Sequence, residues 1–471
     1  MTYEMIVGLE THIELSTKTK IFCGCSTAFG GEPNTRCCPV CLGLPGALPT
    51  LNRQVVHHAV LAGMATNCRI NPVSRMARKN YVYPDLPKAY QITQWDQPLC
   101  EDGYWELENG RRIGIRRIHI EEDAGKLIRR GGQLYIDYNR AGVPLIEIVT
   151  APDFRTAQEI RDYLEALQRL MRYIGISDCK MQEGSLRCDV NLSVRPMGDN
   201  RIGVSTELKY MNSFSMIVKA VEYERDRQIA LLEAGGTVVQ ETRRYDEATG
   251  RTESMRGKED TDDYRYFTEP DIPPICLDET ELAAWRRELP ELPHHRLHRF
   301  VTQYGLSKTD ADKLLKYRAI ADYFEAACAG VSAKTVAHFV VGPLFATLPT
   351  EAAKEAGAMP ISPAQLSELV DWIDRRHLKM ELAKRTLDRM IETGLSVGDL
   401  LNEADLAAPD LATLEAVCRR VLCDNAKAVQ DYRGGKATAI KALIGGVMRE
   451  TRGTADAKTV EDLLQRMIKE R

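Results

Sequence analysis

No stretch of this chain stays apolar for the roughly 18 residues that a membrane-spanning helix needs. Its N-terminus, Met-Thr-Tyr-Glu-Met-Ile, lacks the basic start and long apolar core of a signal peptide. A cytoplasmic protein without a membrane partner is therefore expected. Charge of neither sign is in excess: 63 Lys and Arg stand against 67 Asp and Glu, a net charge of −4. Nothing in that balance advertises a nucleic-acid partner, so any such contact must come from local patches. Two nucleotide-binding signatures are also missing. There is no Walker loop, and no G-x-G-x-x-G follows a strand-like stretch, which excludes a P-loop or a Rossmann site.

What is present is ordinary globular composition, 471 residues with 44% hydrophobic and 28% charged side chains. Strand-like patterns fill the front of the chain and vanish after Asp278, where helix-period segments take over. The expected fold class is α+β. A catalytic domain with a mostly antiparallel sheet spans 1–290, an all-α helical domain 291–403, and a small all-α tail domain 404–471.

In Met5 to Leu15, M-I-V-G-L-E-T-H-I-E-L, a strand would put Glu10, His12 and Glu14 on one face. Two carboxylates and an imidazole stepped by two residues can converge on one cation, or simply face solvent. Later strands repeat the pattern. In V-P-L-I-E-I-V-T, from Val143 to Thr150, Glu147 is the one polar side chain among apolar neighbours, and burying it is costly unless it is paired or on a metal. Leu186 to Arg195 alternates apolar residues with Arg187, Asp189, Asn191, Ser193 and Arg195. Val204 to Tyr210 puts Ser205, Glu207 and Lys209 together. A strand from Arg112 to Ile120 runs into Glu121-Glu122-Asp123, an acidic corner that suits a metal or a surface turn. The expected polar face carries Glu10, His12, Glu122, Glu147, Arg187, Asp189, Asn191, Glu207 and Lys209. Clustered carboxylates need cations, and Mg²⁺ bridging a nucleotide phosphate is the simplest compensating species.

Thirteen cysteines are an odd number, and five fall between Cys23 and Cys41. Cys23-x-Cys25, twelve residues, then Cys38-x-x-Cys41 suits a tetrahedral structural Zn²⁺, with Cys37 as a spare; unmetallated thiols in a Gly/Pro-rich loop are the alternative. The segment Arg75 to Gln91 reads as a long loop presenting Lys79, Tyr83, Lys88 and other aromatic and basic groups. Such a loop could bind a nucleotide or merely pack down. The charged stretch Thr242 to Pro274, with Arg243, Arg244, Arg256, Tyr264, Arg265 and Tyr266, is equally a binding segment or a solvated loop. Lys427, Arg433, Lys436, Lys441, Arg449 and Arg452 make a local basic patch that suits a phosphate backbone or an ordinary helical surface.

Taken in order, the segments V-G-L-E-T-H-I-E-L, P-N-T-R-C-C-P-V-C-L-G-L-P-G, R-K-N-Y-V-Y-P-D-L-P-K-A-Y-Q, H-I-E-E-D-A-G-K, N-R-A-G-V-P-L-I-E-I-V-T, E-G-S-L-R-C-D-V-N-L-S-V and D-D-Y-R-Y-F-T-E-P-D-I-P-P resemble the B-subunit family of glutamine-dependent aspartyl/glutamyl-tRNA amidotransferases over essentially the whole chain. The resemblance implies a protein that binds misacylated Glu-tRNA(Gln) or Asp-tRNA(Asn) and uses ATP with Mg²⁺, or Mn²⁺ in its place, to phosphorylate the side-chain carboxylate. Ammonia would come from a partner amidase, the A subunit, held in a heterotrimer by a small C subunit. It implies that Glu10, His12, Glu122 and Glu147 are metal-binding kinase-site positions, bordered by Asp189, Asn191, Glu207 and Lys209. It implies a zinc site at Cys23, Cys25, Cys38 and Cys41, which some members lack, and a tail like that of YqeY proteins whose Lys427, Arg433, Lys436 and Lys441 would meet tRNA. Lys79, Tyr83 and Lys88 are the nucleotide-site candidates. No Ser-Ser-Lys arrangement in a Gly/Ser-rich loop and no G-x-C-x-G elbow occurs, so the chain is expected to make no ammonia itself. A non-catalytic zinc-ribbon RNA-binding protein is the competing reading, and a stand-alone ATP-dependent amide ligase is a third.

Overall fold

Alternation of apolar and polar residues makes Tyr3–Glu14 a twelve-residue strand, β1, with Met5, Val7, Leu9, Thr11 and Ile13 buried on one side. The computed structural model describes residues 2–257, 264–401, 409–451 and 455–470. They form two compact units, 1–293 and 294–471.

In the first unit the remaining strands are β2 (Arg69–Ile70), β3 (Val73–Ser74), β4 (Ala77–Asn80), β5 (Tyr90–Thr93), β6 (Cys100–Glu106), β7 (Arg112–Glu122), β8 (Lys126–Arg130), β9 (Gln133–Asp137), β10 (Pro144–Thr150), β11 (Leu186–Pro196), β12 (Thr206–Lys209), β13 (Glu241–Asp246), β14 (Arg251–Gly257), β15 (Phe267–Thr268) and β16 (Ile275–Cys276). Nine of them make one sheet in the order β14-β13-β12-β11-β1-β10-β7-β6-β2. Every neighbouring pair is antiparallel except β12 and β13. The long central strand β1 pairs with β10 on one side and β11 on the other, so its register sets which side chains meet across the middle of the sheet.

One face of this sheet is apolar and closed by helices. Ile118, Ile120, Ile146, Ile148, Cys188 and Val190 share a core with α1 (Arg53–Ala65), α2 (Ala157–Tyr173) and α3 (Phe214–Glu233). The second of these begins at a capping box in which Thr156 accepts from the Glu159 amide while Glu159 accepts from the Thr156 amide. Its stripe Ile160, Tyr163, Leu164, Leu167, Leu170 and Met171 is fully buried. A fourth helix, α4 (Glu279–Glu288), closes the unit.

Two segments are more ordered than their composition suggests. The expected loop at Arg75 to Gln91 begins in β4 and ends at β5, which pair with each other, while β15 pairs with β4. The alternation is hidden there because Arg78 is held by Glu269 and Tyr90 rather than exposed. The charged stretch after Thr242 contributes the β13–β14 hairpin to the main sheet. It is anchored by a buried polar network in which Thr252 donates to Glu224 and Arg243 donates to Thr252.

In the second unit, every regular element among the described residues is helical. Buried residues from Phe300 to Leu401 form one core and those from Leu414 to Ile468 another. The helix Leu411–Asp424 buries Leu414, Val417, Cys418, Val421 and Leu422, a stripe at helical spacing. The boundary placed between 403 and 404 lies outside the described residues, as does Arg452.

Ile148→Ala, at a fully buried position on the helix-covered face, is expected to cost about 2–5 kcal/mol of unfolding free energy. Thr156→Ala, which removes one cap, is expected to cost about 1 kcal/mol. Urea unfolding of the two variants beside the parent chain checks that order.

Candidate active site

The other face of the sheet is polar, and strand register arranges it in rows. One row runs His119 on β7, Glu147 on β10, His12 on β1 and Arg187 on β11. The adjacent row runs Arg117, Val149, Glu10 and Asp189. Glu207 on β12 follows, opposite Asn191. Side chains two residues apart on a strand therefore meet side chains from strands far away in sequence.

Two groups result, each with donor atoms within 4.8 Å of one another and each able to hold a metal ion: His12 with Glu121 and Glu147, and Glu10 with Asp189 and Glu207. In the first, His12 Nε2 lies 3.5 Å from Glu121 and 3.6 Å from Glu147, while His119 Nε2 lies 3.2 Å from Glu147. In the second, Lys209 donates to Asp189 at 2.8 Å and sits 3.2 Å from Glu207. Asn191 Nδ2 donates to Glu10 at 2.9 Å, and Thr242 Oγ1 to Glu207 at 2.9 Å. Carboxylate-rich donor sets of this kind suit a hard divalent cation such as Mg²⁺ or Mn²⁺.

The electrostatics report a site short of positive charge. Burial raises the Glu10 carboxyl above its ordinary value, and the fields of Glu147, Asp189 and Glu207 add to it against Lys209. Burial opposes protonation of both imidazoles, yet hydrogen bonding to Glu147 and the fields of Glu147, Glu121 and Asp189 hold His12 above its usual range. His119 is pushed up to about 9, the field of Glu147 and hydrogen bonds to Glu121 and Glu147 outweighing its complete burial. Without a metal, protons supply the missing cation.

Aromatic groups border the first group. Burial, then Tyr264 and the fields of Glu147 and Glu121, push the Tyr266 phenol up to about 12. Tyr266 stacks on Trp95 at 4.2 Å, and Tyr264 meets both Tyr266 and Tyr81 edge-on.

Glu122 is not where the expected polar face put it. Ile118, Ile120 and Glu122 share one parity on β7, while Arg117, His119 and Glu121 share the other, so Glu122 projects on the apolar side. There it is paired with Lys88 at 2.7 Å and accepts from the Ile92 amide at 2.8 Å. Glu121 takes its place beside His12 and Glu147. The sequence names Glu121 only as part of the acidic corner and does not single out His119, although the alternation in I-H-I-E-E carries the signal for both.

The other expected positions are distributed. Lys79 stands over the Tyr264 ring at 4.5 Å, and Tyr83 is exposed. Cys23, Cys25, Cys38 and Cys41 bring their sulfurs within 4.8 Å of one another. The Cys38–Cys41 separation of 3.9 Å matches the edge of a ZnS₄ tetrahedron, about 3.8 Å for bonds of about 2.3 Å. The Cys23 thiol donating to it, the Cys38 amide and Lys20 push Cys41 down to about 4 against its burial, toward the thiolate that binds metal. Cys37 lies near Asn139 instead. In the second unit Lys427, Arg433, Lys436 and Lys441 are all exposed, on or between the helices Ala426–Arg433 and Ile440–Glu450.

Residues 5–283 match the model of the GatB/GatE catalytic domain, and residues 322–468 match that of the GatB domain. The chain belongs to the GatB/GatE family. It is similar along its whole length to proteins named as the B subunit of aspartyl/glutamyl-tRNA(Asn/Gln) amidotransferase. The protein of Carboxydothermus hydrogenoformans is 50% identical over 98% of both chains. That of Caldicellulosiruptor saccharolyticus is 49% identical over 99% of both, and that of Caldanaerobacter subterraneus subsp. tengcongensis 50% identical over 99% of both. The catalytic-domain match contains both carboxylate groups and the cysteine loop. No helix among the described residues is long and apolar enough to cross a membrane.

A raised imidazole pKa contributes stability that is complete below the ordinary value of about 6.5 and is lost as pH rises through the folded-state value. For His119 in the metal-free protein that window runs from about 6.5 to about 9. Glu147→Gln should bring the His119 titration down by at least about one unit, because burial then has only Glu121 against it. NMR titration of the ring protons measures this, and an unmoved His119 contradicts the assigned pairing.

Proposed function

We propose that this chain activates the side-chain carboxylate of misacylated Glu-tRNA(Gln), Asp-tRNA(Asn) or both, as the B subunit of a tRNA-dependent amidotransferase. The observation that carries this reading is the pair of carboxylate-rich groups, each able to hold a cation, on one sheet face, with Glu147 of the first in the field of Glu10 of the second. The names of its relatives and the catalytic-domain match support it.

In the first step a carboxylate oxygen attacks the γ-phosphorus of ATP, and the bond to the β–γ bridging oxygen breaks with its electron pair leaving on ADP. In the second, ammonia attacks the acyl carbon of the resulting acyl phosphate. Phosphate leaves, and the nitrogen gives up a proton to become the amide. His12, Glu121 and Glu147 on one side and Glu10, Asp189 and Glu207 on the other would hold Mg²⁺, or Mn²⁺ in its place. Such ions neutralise phosphate charge as the carboxylate approaches. Lys209 and Asn191 orient the second group. Tyr81, Tyr264, Tyr266 and Trp95 limit water beside the first, which protects an acyl phosphate from hydrolysis.

Ammonia is proposed to come from glutamine on a partner amidase, the A subunit, with a small C subunit completing the assembly. A structural Zn²⁺ on Cys23, Cys25, Cys38 and Cys41 would staple the loop. Residues 1–290 act as the catalytic domain, 291–403 as a helical domain, and 404–471 as a YqeY-like tail that meets tRNA through Lys427, Arg433, Lys436 and Lys441.

In the reconstituted complex with misacylated tRNA, Glu121→Gln and Glu147→Gln are each expected to lower tRNA-dependent ATP cleavage by about 100-fold or more, and to weaken Mn²⁺ binding followed by electron paramagnetic resonance. Glu122→Gln should instead lower thermal stability, because it leaves Lys88 buried without a counter-charge, while Mn²⁺ affinity stays near the parent value. Undiminished ATP cleavage in the first two variants overturns the site. Lys436→Glu with Lys441→Glu should weaken tRNA binding and flatten its salt dependence; unchanged filter-binding isotherms would remove the tail from the interface.

A further inference from the structure

The polar face is rich in carboxylates, and nearly every cation on or beside it is matched to one. Lys209 is bound to Asp189 and Glu207, and Arg187 and Arg140 to Asp123. Arg117 differs. It has the same parity on β7 as His119 and Glu121, it is half-buried, and it makes no ion pair with a carboxylate among the described residues. Its Nε is enclosed and meets no acceptor. The nearest acid by register is Glu101 on β6, but Glu101 accepts from Arg69 and from Asn71, both at 2.9 Å. The guanidinium is supported from the side by Trp95, 6.0 Å from the ring centre, which is in turn stacked on Tyr266.

Enclosing a guanidinium N–H without an acceptor is unfavourable, and this face has acids to spare. Its Nη groups likewise meet no acceptor among the described residues but are not enclosed, so they are the part of this half-buried arginine that an anion arriving from outside can reach. Its position narrows which anion. Along its row, Arg117 is followed by Val149 and then Glu10. Two strand spacings, about 10 Å, thus separate this cation from Glu10 and its group, with a short apolar side chain between them. In the reading above, the phosphates of ATP go to the cations held by the carboxylates. The substrate anion still without a receptor is the side-chain carboxylate of the aminoacyl group.

We propose that Arg117 is the receptor for that carboxylate. The proposal rests on the function proposed above and adds to it the group that recognises the acyl acceptor. The planar guanidinium matches a carboxylate with two parallel N–H···O bonds. One carboxylate oxygen stays on Arg117 while the other, directed over Val149, forms the new bond to phosphorus as the bond to ADP breaks. The amide product, with an NH₂ where an oxygen was, cannot accept both bonds, so the same residue favours substrate over product.

The test compares the equilibrium affinities of the assembled complex, without ATP, for Glu-tRNA(Gln) and for its product Gln-tRNA(Gln), with uncharged tRNA as reference. The parent complex should bind the carboxylate form at least about tenfold tighter than the amide form. Arg117→Gln should bring that ratio to about one with the affinity for uncharged tRNA unchanged, and Arg117→Lys should fall between. A purely structural arginine would not move this ratio, and a misfolded variant would lose uncharged tRNA as well, in which case Arg117→Lys decides. A parent ratio near one, or a ratio unchanged in Arg117→Gln, overturns the proposal. So does a ratio preserved while affinity for a non-hydrolysable ATP analogue drops, which would give Arg117 to the phosphates. Glu147→Gln keeps the two levels apart. If it leaves tRNA-dependent ATP cleavage intact, the kinase reading itself fails; if it abolishes cleavage while the ratio survives Arg117→Gln, the Arg117 assignment alone fails.

Discussion

Glu10, Glu14, Glu121, Glu147, Asp189 and Glu207 are brought onto one face of a sheet, where neighbouring strands are only about 4.8 Å apart. Acids so placed repel, and the face is stable only with positive charge among them. The protein supplies that charge in forms of differing permanence. Asp123 has two arginines, which cannot give up their protons, and Asp189 and Glu207 share a lysine. Glu147 has two imidazoles, which give up protons most readily of the three. A cation entering the first group therefore has something it can displace, whereas the Arg187 corner stays as it is. A metal bound at this group would release protons, because of this choice of counter-charge.

The antiparallel sheet is what makes such a cluster tolerable. Its two faces divide the labour with a period of two, so each acid on the polar side is flanked in sequence by residues anchored on the helix-covered side. Ile146 and Ile148 hold Glu147, and Ile118 and Ile120 hold His119, all four isoleucines without solvent exposure. A side chain held by buried neighbours on both sides loses little further freedom when it meets a cation, and the repulsion is borne by a core that extends through three helices. A helical scaffold would offer comparable neighbours only at i+3 and i+4; here the partners come from β1, β7, β10, β11 and β12.

That same period explains what could be read beforehand. Glu10, His12, Glu147, Asp189 and Glu207 lie in strands whose alternation is plain, and the sheet brings them together. The error at Glu122 came from a run of three acids, where residue type alone cannot choose a face; Ile118 and Ile120 chose it, and they point to Glu121 and His119. Other features depend on distant partners and leave little local trace. Arg78 looks like a surface cation until Glu269 is placed beside it. The β13–β14 hairpin looks like a solvated loop because the residues that bury it, Glu224 on α3 above all, lie outside it. Arg117 is legible only as an absence, since a missing ion pair cannot be seen until every neighbour has been located.

The cysteine loop then has a physical reason to sit where it does. Glu122 ends β7 immediately after Glu121, and it is fixed by Lys88, whose side chain is 5% exposed. Lys88 also packs on Phe22, beside Cys23, and a side chain at Gly43 would come within 2.6 Å of its Cγ. Gly43, at φ +66°, thus meets both demands that favour glycine, a left-handed backbone and a close approach. From the cysteine loop through Lys88 to Glu122 there is a continuous packed path to the residue next to Glu121. The loop between β1 and α1 has few hydrogen-bonded elements of its own, and closing it on four thiolates would remove much of its freedom. Stiffening that loop stiffens Lys88, and through Glu122 it holds the end of the strand that carries both His119 and Glu121. A chain with another means of holding Lys88 would have no need of the four cysteines, so a metal in the loop and any chemistry on the sheet would be separable even though the packing joins them.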